Sequence, residues 1–265
     1  MRLATICLAS LCCAASLGAQ VDQHALAHQL VHGDRAERSR AFEQARSLGP
    51  ANTSAELRAA LITLLDKNNR IVLDAAERKQ PVANLEDPEF IAAVAHVVSG
   101  LEDVRAIPAL AGALGTSGST LVRDALADFG EPASADVLRI VTSSGSHYAV
   151  EEGLMELRSM VEGHGARPLS PATLDQVRRA AKQRLTGKQY FTTVWYAIDL
   201  AGALNDAELK RILDSLAADR DAVAARGITD ADLIRRTQER AAQRLAGTPA
   251  SPKYRSPAER RSRMR

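Results

Sequence analysis

Aromatic residues are scarce in this sequence. Only nine of its 265 residues are Phe, Trp or Tyr, whereas 48 are alanine and 31 are leucine. Glycine and proline together account for 26 residues and charged residues for 25%, which excludes collagen and low-complexity linkers. Because alanine and leucine are among the strongest helix formers, this composition predicts a folded, soluble, all-α protein.

Long hydrophobic stretches are absent beyond the N-terminus. Residues 3–17 carry no charge, Arg2 precedes them and small residues follow, an order typical of a secretory signal peptide. As a helix this stretch would span about 22 Å, short of the roughly 30 Å hydrocarbon core of a membrane. We therefore predict a signal peptide over residues 1–19, a mature chain that begins near Gln20, export to the periplasm or the medium, and no transmembrane segment after cleavage.

The mature chain also lacks cysteine, because Cys7, Cys12 and Cys13 all lie in the predicted signal peptide. This excludes a disulfide framework, a thiolate metal site and a cysteine nucleophile. The stability of the mature protein therefore has to come from packing.

Catalytic signatures are missing as well. The sequence contains no HExxH, no GxSxG, no phosphate-binding loop and no Rossmann glycine pattern. His96 lies on the apolar segment 88–99 and is typical of a packed histidine, while His147 and His164 lie at predicted helix ends. We predict no enzymatic activity and no cofactor.

Start and stop signals divide the mature chain into helices of about ten to eighteen residues. The clearest start is Asp87, whose carboxylate can cap a helix with Pro88 in its first turn, and Gly100 ends that helix. Further starts are predicted at Asp103, Ser119, Ser146, Ser170, Asp206 and Asp230, and further stops at Gly115, Gly130, Gly163, Gly187, Gly227 and Gly247.

An internal repeat is visible when the segment from Glu102 to Gly130 is compared with the segment 28 residues later. The offset pairs Leu110 with Leu138, Val122 with Val150, Leu126 with Leu154, Phe129 with Leu157, and Asp103 with Glu131. Apolar positions within each unit follow helical spacing, which predicts two short helices joined by a turn. One such pair cannot bury its own apolar faces, but a stack of pairs can.

The segment DVRAIPALAGALGTSGSTLVRDALADFGEPASADVLRIV resembles the short HEAT-like repeats of the PBS-lyase type. Asp103, Ile107 and Pro108 match the first helix of that repeat, and Leu126 and Gly130 match the second. The resemblance implies a curved α-solenoid of stacked antiparallel helix pairs over residues 20–247, clearest over 102–158, that binds partner proteins.

Polar residues on the second helices are the predicted contacts of a protein partner, because the second helices of stacked pairs form one continuous face. The predicted interface consists of Arg123, Asp124, Glu151, Glu152 and Arg158, together with Tyr190 and Trp195.

The C-terminal residues differ in composition from the rest of the chain. Residues 248–265 hold three prolines and six basic residues but almost no apolar side chains, which predicts a disordered basic tail. The part from 20 to 247 has 27 basic and 31 acidic residues, a net charge of −4. That charge argues against a nucleic-acid partner, although the tail could contact an anionic surface weakly.

Three histidines, His24, His28 and His32, recur every four residues on the first helix. Two imidazoles four residues apart can chelate a metal ion, so metal binding or ligand modification is the alternative function. The outer two lie about 80° apart around a helix, so all three cannot share one ion. A solvated polar face explains the same pattern without a metal.

Two further clusters each have two interpretations. The first contains four aromatic residues within 190–196, which could form a recognition patch or pack in the core. We favour core packing, because Phe191, Trp195 and Ile198 follow helical spacing.

The second contains five basic residues on the segment from Ser170 to Gly187 and just after it. They predict a solvated helix face rather than an anion-binding surface; they are Arg178, Arg179, Lys182, Arg184 and Lys188.

Overall fold

The computed structural model describes residues 21–78, 86–116, 120–163 and 168–248, and within these ranges the chain is all-α without a strand. The predicted signal peptide, His164, Ser119 and all of the predicted tail except Thr248 lie outside the described residues. The α-helices are α1 (Gln23–His32), α2 (Arg35–Leu48), α3 (Ala55–Arg78), α4 (Pro88–Ser99), α5 (Ile107–Ala113), α6 (Thr120–Phe129), α7 (Glu131–Ser143), α8 (His147–Val161), α9 (Pro171–Thr186), α10 (Phe191–Leu204), α11 (Ala207–Ala218), α12 (Arg220–Ala224) and α13 (Ala231–Leu245).

The helices stack as six pairs in two layers. In the first layer α1, α3, α5, α7, α9 and α11 each pack against the next, and in the second layer α2, α4, α6, α8, α10 and α13 do the same. Each first-layer helix also packs against its second-layer partner. This is the stacked arrangement of helix pairs that the sequence predicted.

One hydrophobic core runs between the layers, from Leu26 in α1 to Ala241 in α13. Three of the five pairs related by the 28-residue offset are buried in neighbouring helices of one layer: Leu110 and Leu138 in the first layer, and Val122 with Val150 and Leu126 with Leu154 in the second. Equivalent residues of successive pairs therefore contribute equivalent parts of the core, as an internal repeat requires.

Polar caps set most helix starts. The side chains of Asp87, Ser146, Ser170, Asp206 and Asp230 each accept hydrogen bonds from backbone N–H groups of the first turn that follows. These five predicted starts are confirmed, because short oxygen-bearing side chains satisfy the N–H groups that a helix leaves unpaired at its beginning.

Helix lengths differ from the prediction of ten to eighteen residues. Helix α3 has 24 residues and α5 has only 7. The two asparagines at 68 and 69 do not end α3, because the Asn69 side chain bonds to α5 and to the turn that follows it instead of to its own backbone. Its Nδ2 donates to the Ala109 carbonyl at 2.7 Å, and its Oδ1 accepts from the Thr116 hydroxyl at 2.6 Å.

Candidate functional site

A row of aromatic rings lies on the surface where α8 and α10 begin. His147 and Tyr148 are the first two residues of α8, Tyr190 immediately precedes α10, and Phe191 is the first residue of α10. Consecutive ring centroids are 4.1 Å apart from Tyr148 to His147, 4.7 Å from His147 to Tyr190, 4.9 Å from Tyr190 to Phe191 and 5.2 Å from Phe191 to Trp195. We call these five residues the aromatic strip.

The stacking of the helices explains why residues so far apart in sequence meet. In a stack of antiparallel pairs, the helices of one layer run in the same direction, so their N-termini lie at one edge. Tyr148 and Tyr190 therefore lie at the same edge, at the starts of neighbouring second-layer helices.

The strip is open to solvent at one end and anchored at the other. Tyr148 is 65% exposed and Tyr190 is 54% exposed. Trp195 is half-buried, its Nε1 donates to the Thr237 hydroxyl of α13 at 2.8 Å, and the guanidinium of Arg240 lies 5.6 Å from the Trp195 ring centroid. The anchored rings hold the exposed tyrosines in a defined arrangement.

The interpretation of residues 190–196 as core packing describes only part of this cluster. Ile198 is fully buried, and Phe191 and Tyr196 pack against the core as half-buried residues. Tyr190 is not part of the core, because it precedes α10 and is exposed to solvent. Its side chain does not cap the helix.

An ion network joins three helices of the second layer, next to the strip. The Asp199 carboxylate in α10 is 1% exposed, and its Oδ1 accepts from Nε of Arg240 at 2.9 Å and from Nε of Arg244 at 2.8 Å. Its Oδ2 accepts from Nη2 of Arg240 and lies 3.7 Å from Nη1 of Arg158 in α8. One carboxylate thus joins α8, α10 and α13.

Glu151 of α8 makes a second link to α10. Its carboxylate accepts hydrogen bonds from the hydroxyl groups of Thr192 and Thr193, the latter at 3.3 Å. Since Glu151 is only 8% exposed, these hydrogen bonds replace the ones that its carboxylate would make with water in the unfolded chain.

A further group of charged side chains lies between α6 and α8 and is rich in carboxylates. Nε of Arg123 lies 3.2 Å from Oε2 of Glu152, and Asp124 is buried. The Glu156 side chain is fully buried, and neither of its oxygens has a hydrogen-bond partner among the described residues. Burial raises the pKa of Glu156 well above its usual range; Arg123 opposes this effect, whereas Asp124 and Glu152 add to it. Burial likewise raises the pKa of Glu152.

Most charged residues of the predicted interface are therefore buried in the described stack. Asp124, Glu151 and Arg158 are 4–8% exposed, and the side chains of Arg123 and Glu152 are 17% and 22% exposed. Their contact with a partner stays a prediction, and little of their surface is available for it. Tyr190 and Trp195, by contrast, belong to the aromatic strip.

His147, Tyr148, Asp199 and Arg240 were not singled out as binding residues by the sequence. The signal that could have found Tyr148 is an offset of 42 residues, which pairs it with Tyr190. The same spacing recurs in bonds between neighbouring units, for example from Trp195 to Thr237, 42 residues apart, and from Arg240 to Asp199, 41 residues apart.

The three N-terminal histidines lie on α1, as predicted, on its exposed side. Nδ1 of His24 lies 2.7 Å from Oε1 of Glu56 in α3, and the rings of His28 and His32 have centroids 4.8 Å apart. Among the described residues, no group of three or more His, Cys, Asp or Glu side chains could hold a metal ion. Metal binding at this face stays a prediction that rests on at most a pair of imidazoles.

The basic residues of α9 contact neighbouring first-layer helices. Arg178 pairs with Asp175 and with Asp206 beside α11, Nζ of Lys182 lies 2.5 Å from Oε1 of Glu208, and Nε of Arg184 donates to the Val141 carbonyl of α7 at 2.8 Å. Arg179 and Lys188 are exposed. The helix thus combines a solvated face with contacts that hold the first layer together.

His96 is half-buried on α4, where burial and the nearby positive charge of Arg46 lower its pKa. This agrees with the interpretation of His96 as a packed histidine.

No helix in the described parts of the chain combines the length and apolar character that crossing a membrane requires.

Comparisons with known proteins gave no match: no family model, no curated protein and no solved structure is significantly similar to this chain.

Proposed function

We propose that this protein is a non-catalytic, exported scaffold of HEAT-like helix pairs that binds a partner protein through the aromatic strip. The observation that carries the proposal is the strip itself, a continuous row of rings with two exposed tyrosines at one edge of the second layer. Tyrosine and tryptophan are enriched among the residues that contribute most to protein binding.

The arrangement of the helices supports the HEAT-like part of the proposal. Most side-chain hydrogen bonds between successive units of the C-terminal half join residues 39 to 45 apart, such as Ser170 with Glu131 and Arg244 with Asp199. HEAT and armadillo repeats have lengths of about 40–47 residues. Proteins of this architecture present long surfaces to partners instead of a closed catalytic pocket.

A rigid support makes the strip suited to binding. Trp195 is fixed by Thr237 and Arg240, and the carboxylate of Asp199 fixes Arg240 in turn. Rings that are already ordered lose little conformational entropy when a partner binds, which favours affinity. The structure gives the metal-binding alternative no three-ligand group among its described residues, and we do not propose it.

The strip can be tested with a photo-crosslinking amino acid placed at Tyr190 in the full chain, expressed in cells that export it. We expect one reproducible crosslinked partner. The matched control is the same amino acid at Val104, which is also an exposed apolar residue, at 59%, but precedes the first-layer helix α5. Identical products at both positions, or none at Tyr190, would rule out binding through the strip.

Affinity for the captured partner should depend on the two exposed tyrosines. We expect Tyr148→Ser with Tyr190→Ser to weaken binding about 30-fold or more, since binding residues of this kind each contribute about 2 kcal/mol or more. Serine is a favoured residue before a helix, so the change at Tyr190 does not threaten α10. Val104→Ser is the control and should leave both affinity and melting temperature unchanged.

Export is tested separately by the N-terminus of the secreted protein. We expect the mature chain to begin near Gln20 and the change Leu8→Arg to leave an uncleaved, cell-retained chain, because a charge interrupts the apolar run. Recovery of Met1 on the exported protein would contradict the predicted signal peptide.

A further inference from the structure

A cavity of about 310 Å³ lies among α1, α2 and α3. One wall is apolar and consists chiefly of Leu30 and Val31 from α1 and of Leu64 and Ile71 from α3. This volume is at the lower end of the range for small-molecule sites, about 300–1,000 Å³. The cavity belongs to helices other than those of the aromatic strip, so its function is independent of the function proposed above.

The lining also includes the amide of Asn68, which bonds to no described residue. Asn68 is only 6% exposed. Its neighbour Asn69, in contrast, is bonded to Ala109 and Thr116. Because neither polar atom of this amide is both fully buried and unpartnered, the amide keeps surface that a ligand in the cavity can reach. A ligand that bonds to Asn68 would supply what the protein does not.

The charges around the cavity favour an anion. Arg38 pairs with Glu86, and both side chains are mostly buried, at 21% and 14% exposed. Nη1 of Arg38 donates to the Gly33 carbonyl, whereas its Nε is buried and bonds to no residue that the structure describes. Lys67 also lines the cavity and has no ion pair with a described residue. Two cations against one carboxylate give the cavity a net positive charge.

We propose that this cavity binds a small amphiphilic carboxylate, such as a straight-chain acid of about eight carbons. The hydrocarbon chain packs on the wall formed by Leu64 and Ile71, and the carboxylate accepts from the amide of Asn68 and the ammonium of Lys67. A neutral hydrocarbon would leave Asn68 unpaired, and an organic cation would be repelled by Lys67 and Arg38.

The proposal is tested by isothermal titration of the purified mature chain with octanoate, with octanol and acetate as comparison ligands. Octanoate should bind saturably. Octanol, which lacks the charge, should bind at least about tenfold more weakly, and acetate, which lacks the chain, should show no measurable binding. Equal affinity for octanoate and octanol would overturn the assignment of the polar wall, and no saturable binding of octanoate would overturn the site.

Two variants test whether octanoate binds in this cavity. Lys67→Ala should weaken octanoate binding about two- to fivefold, the contribution of an exposed ion pair, but leave octanol binding unchanged, and Lys210→Ala, a change of an exposed lysine on α11, is the matched control. Ile71→Trp should fill the cavity and abolish binding of both ligands. If Ile71→Trp does not fold, Lys67→Ala still decides, because Lys67 is exposed and its truncation leaves the core intact. Unchanged octanoate affinity in Lys67→Ala would place the ligand elsewhere.

Discussion

The change Asp199→Ala is expected to destabilise the protein by about 3–5 kcal/mol, the cost of removing one partner from a buried ion network. Asp199 is 1% exposed and is the carboxylate on which Arg158, Arg240 and Arg244 converge. Its loss removes the anion that three guanidinium groups share, and water can replace it only in part, because the side chains of Arg158 and Arg244 are 5% and 9% exposed. For a protein of this size we expect a fall in Tm of about 6–20 °C, measured by circular dichroism.

Asp232→Ala on α13 is the matched control. Asp232 also pairs with two arginines, Arg235 and Arg236, but its side chain is 49% exposed. Exposed ion pairs contribute little because water already solvates both charges, so Tm should hardly change. Equal losses in the two variants would show that Asp199 is not part of a buried network.

Loss of Asp199 should also affect how the aromatic strip binds its partner. Arg240, which lies over the Trp195 ring, receives its orientation from the Asp199 carboxylate. In Asp199→Ala we therefore expect weaker binding of the partner even at temperatures where the variant is folded. Unchanged affinity would mean that Phe191 and Thr237 fix Trp195 without Arg240.

The sequence was most informative about local structure, because the signals for helix starts act within a few residues. Asp87 and Asp230 cap the helices they were expected to cap, since a short carboxylate satisfies the free N–H groups wherever the chain then folds. The 28-residue offset likewise identified residues that share the core, such as Leu126 and Leu154, because buried positions must be apolar in every unit.

The burial of the charged residues could not be read from the sequence. Helix α8 carries Glu151, Glu152, Glu156 and Arg158, a composition that normally indicates a solvated face. Three of these four side chains are buried, because α6 and α10 cover α8 from both sides. Their partners, such as Thr192 and Asp199, lie about 40 residues away, beyond the reach of helical periodicity.

The aromatic strip was predicted only in part for a similar reason. The sequence placed Tyr190 and Trp195 in one cluster, because they are close along the chain. Tyr148 and His147 belong to the preceding unit and meet Tyr190 only because neighbouring second-layer helices begin at the same edge. A 28-residue offset does not reveal this equivalence, because the units lengthen to about 40 residues toward the C-terminus.

The change Glu156→Gln is expected to stabilise the protein at pH 8 and to have little effect near pH 5. Glu156 is fully buried and has no hydrogen-bond partner in the described parts of the chain, and burial raises the pKa of its carboxyl well above its usual range. Between the unfolded and folded pKa values the native state binds a proton that the unfolded state has released. The free energy of unfolding therefore falls as the pH rises through this interval, by about 1.4 kcal/mol for each pH unit. Glutamine has the same shape and no charge, so Glu156→Gln removes this loss of stability with rising pH.

Urea unfolding of the wild type and Glu156→Gln at pH 5, 6.5 and 8 isolates this contribution, because every other titrating group is common to both proteins. The gain in stability should grow with pH until the pH passes the folded pKa and then stay constant. Glu239→Gln, on the surface of α13 at 53% side-chain exposure, is the control and should give nearly parallel curves. A gain that is the same at all three pH values would contradict a protonated Glu156. A gain that grows with pH would show that the α6 and α8 interface keeps an uncharged carboxylic acid at a cost in stability. Such costs are concentrated at functional positions.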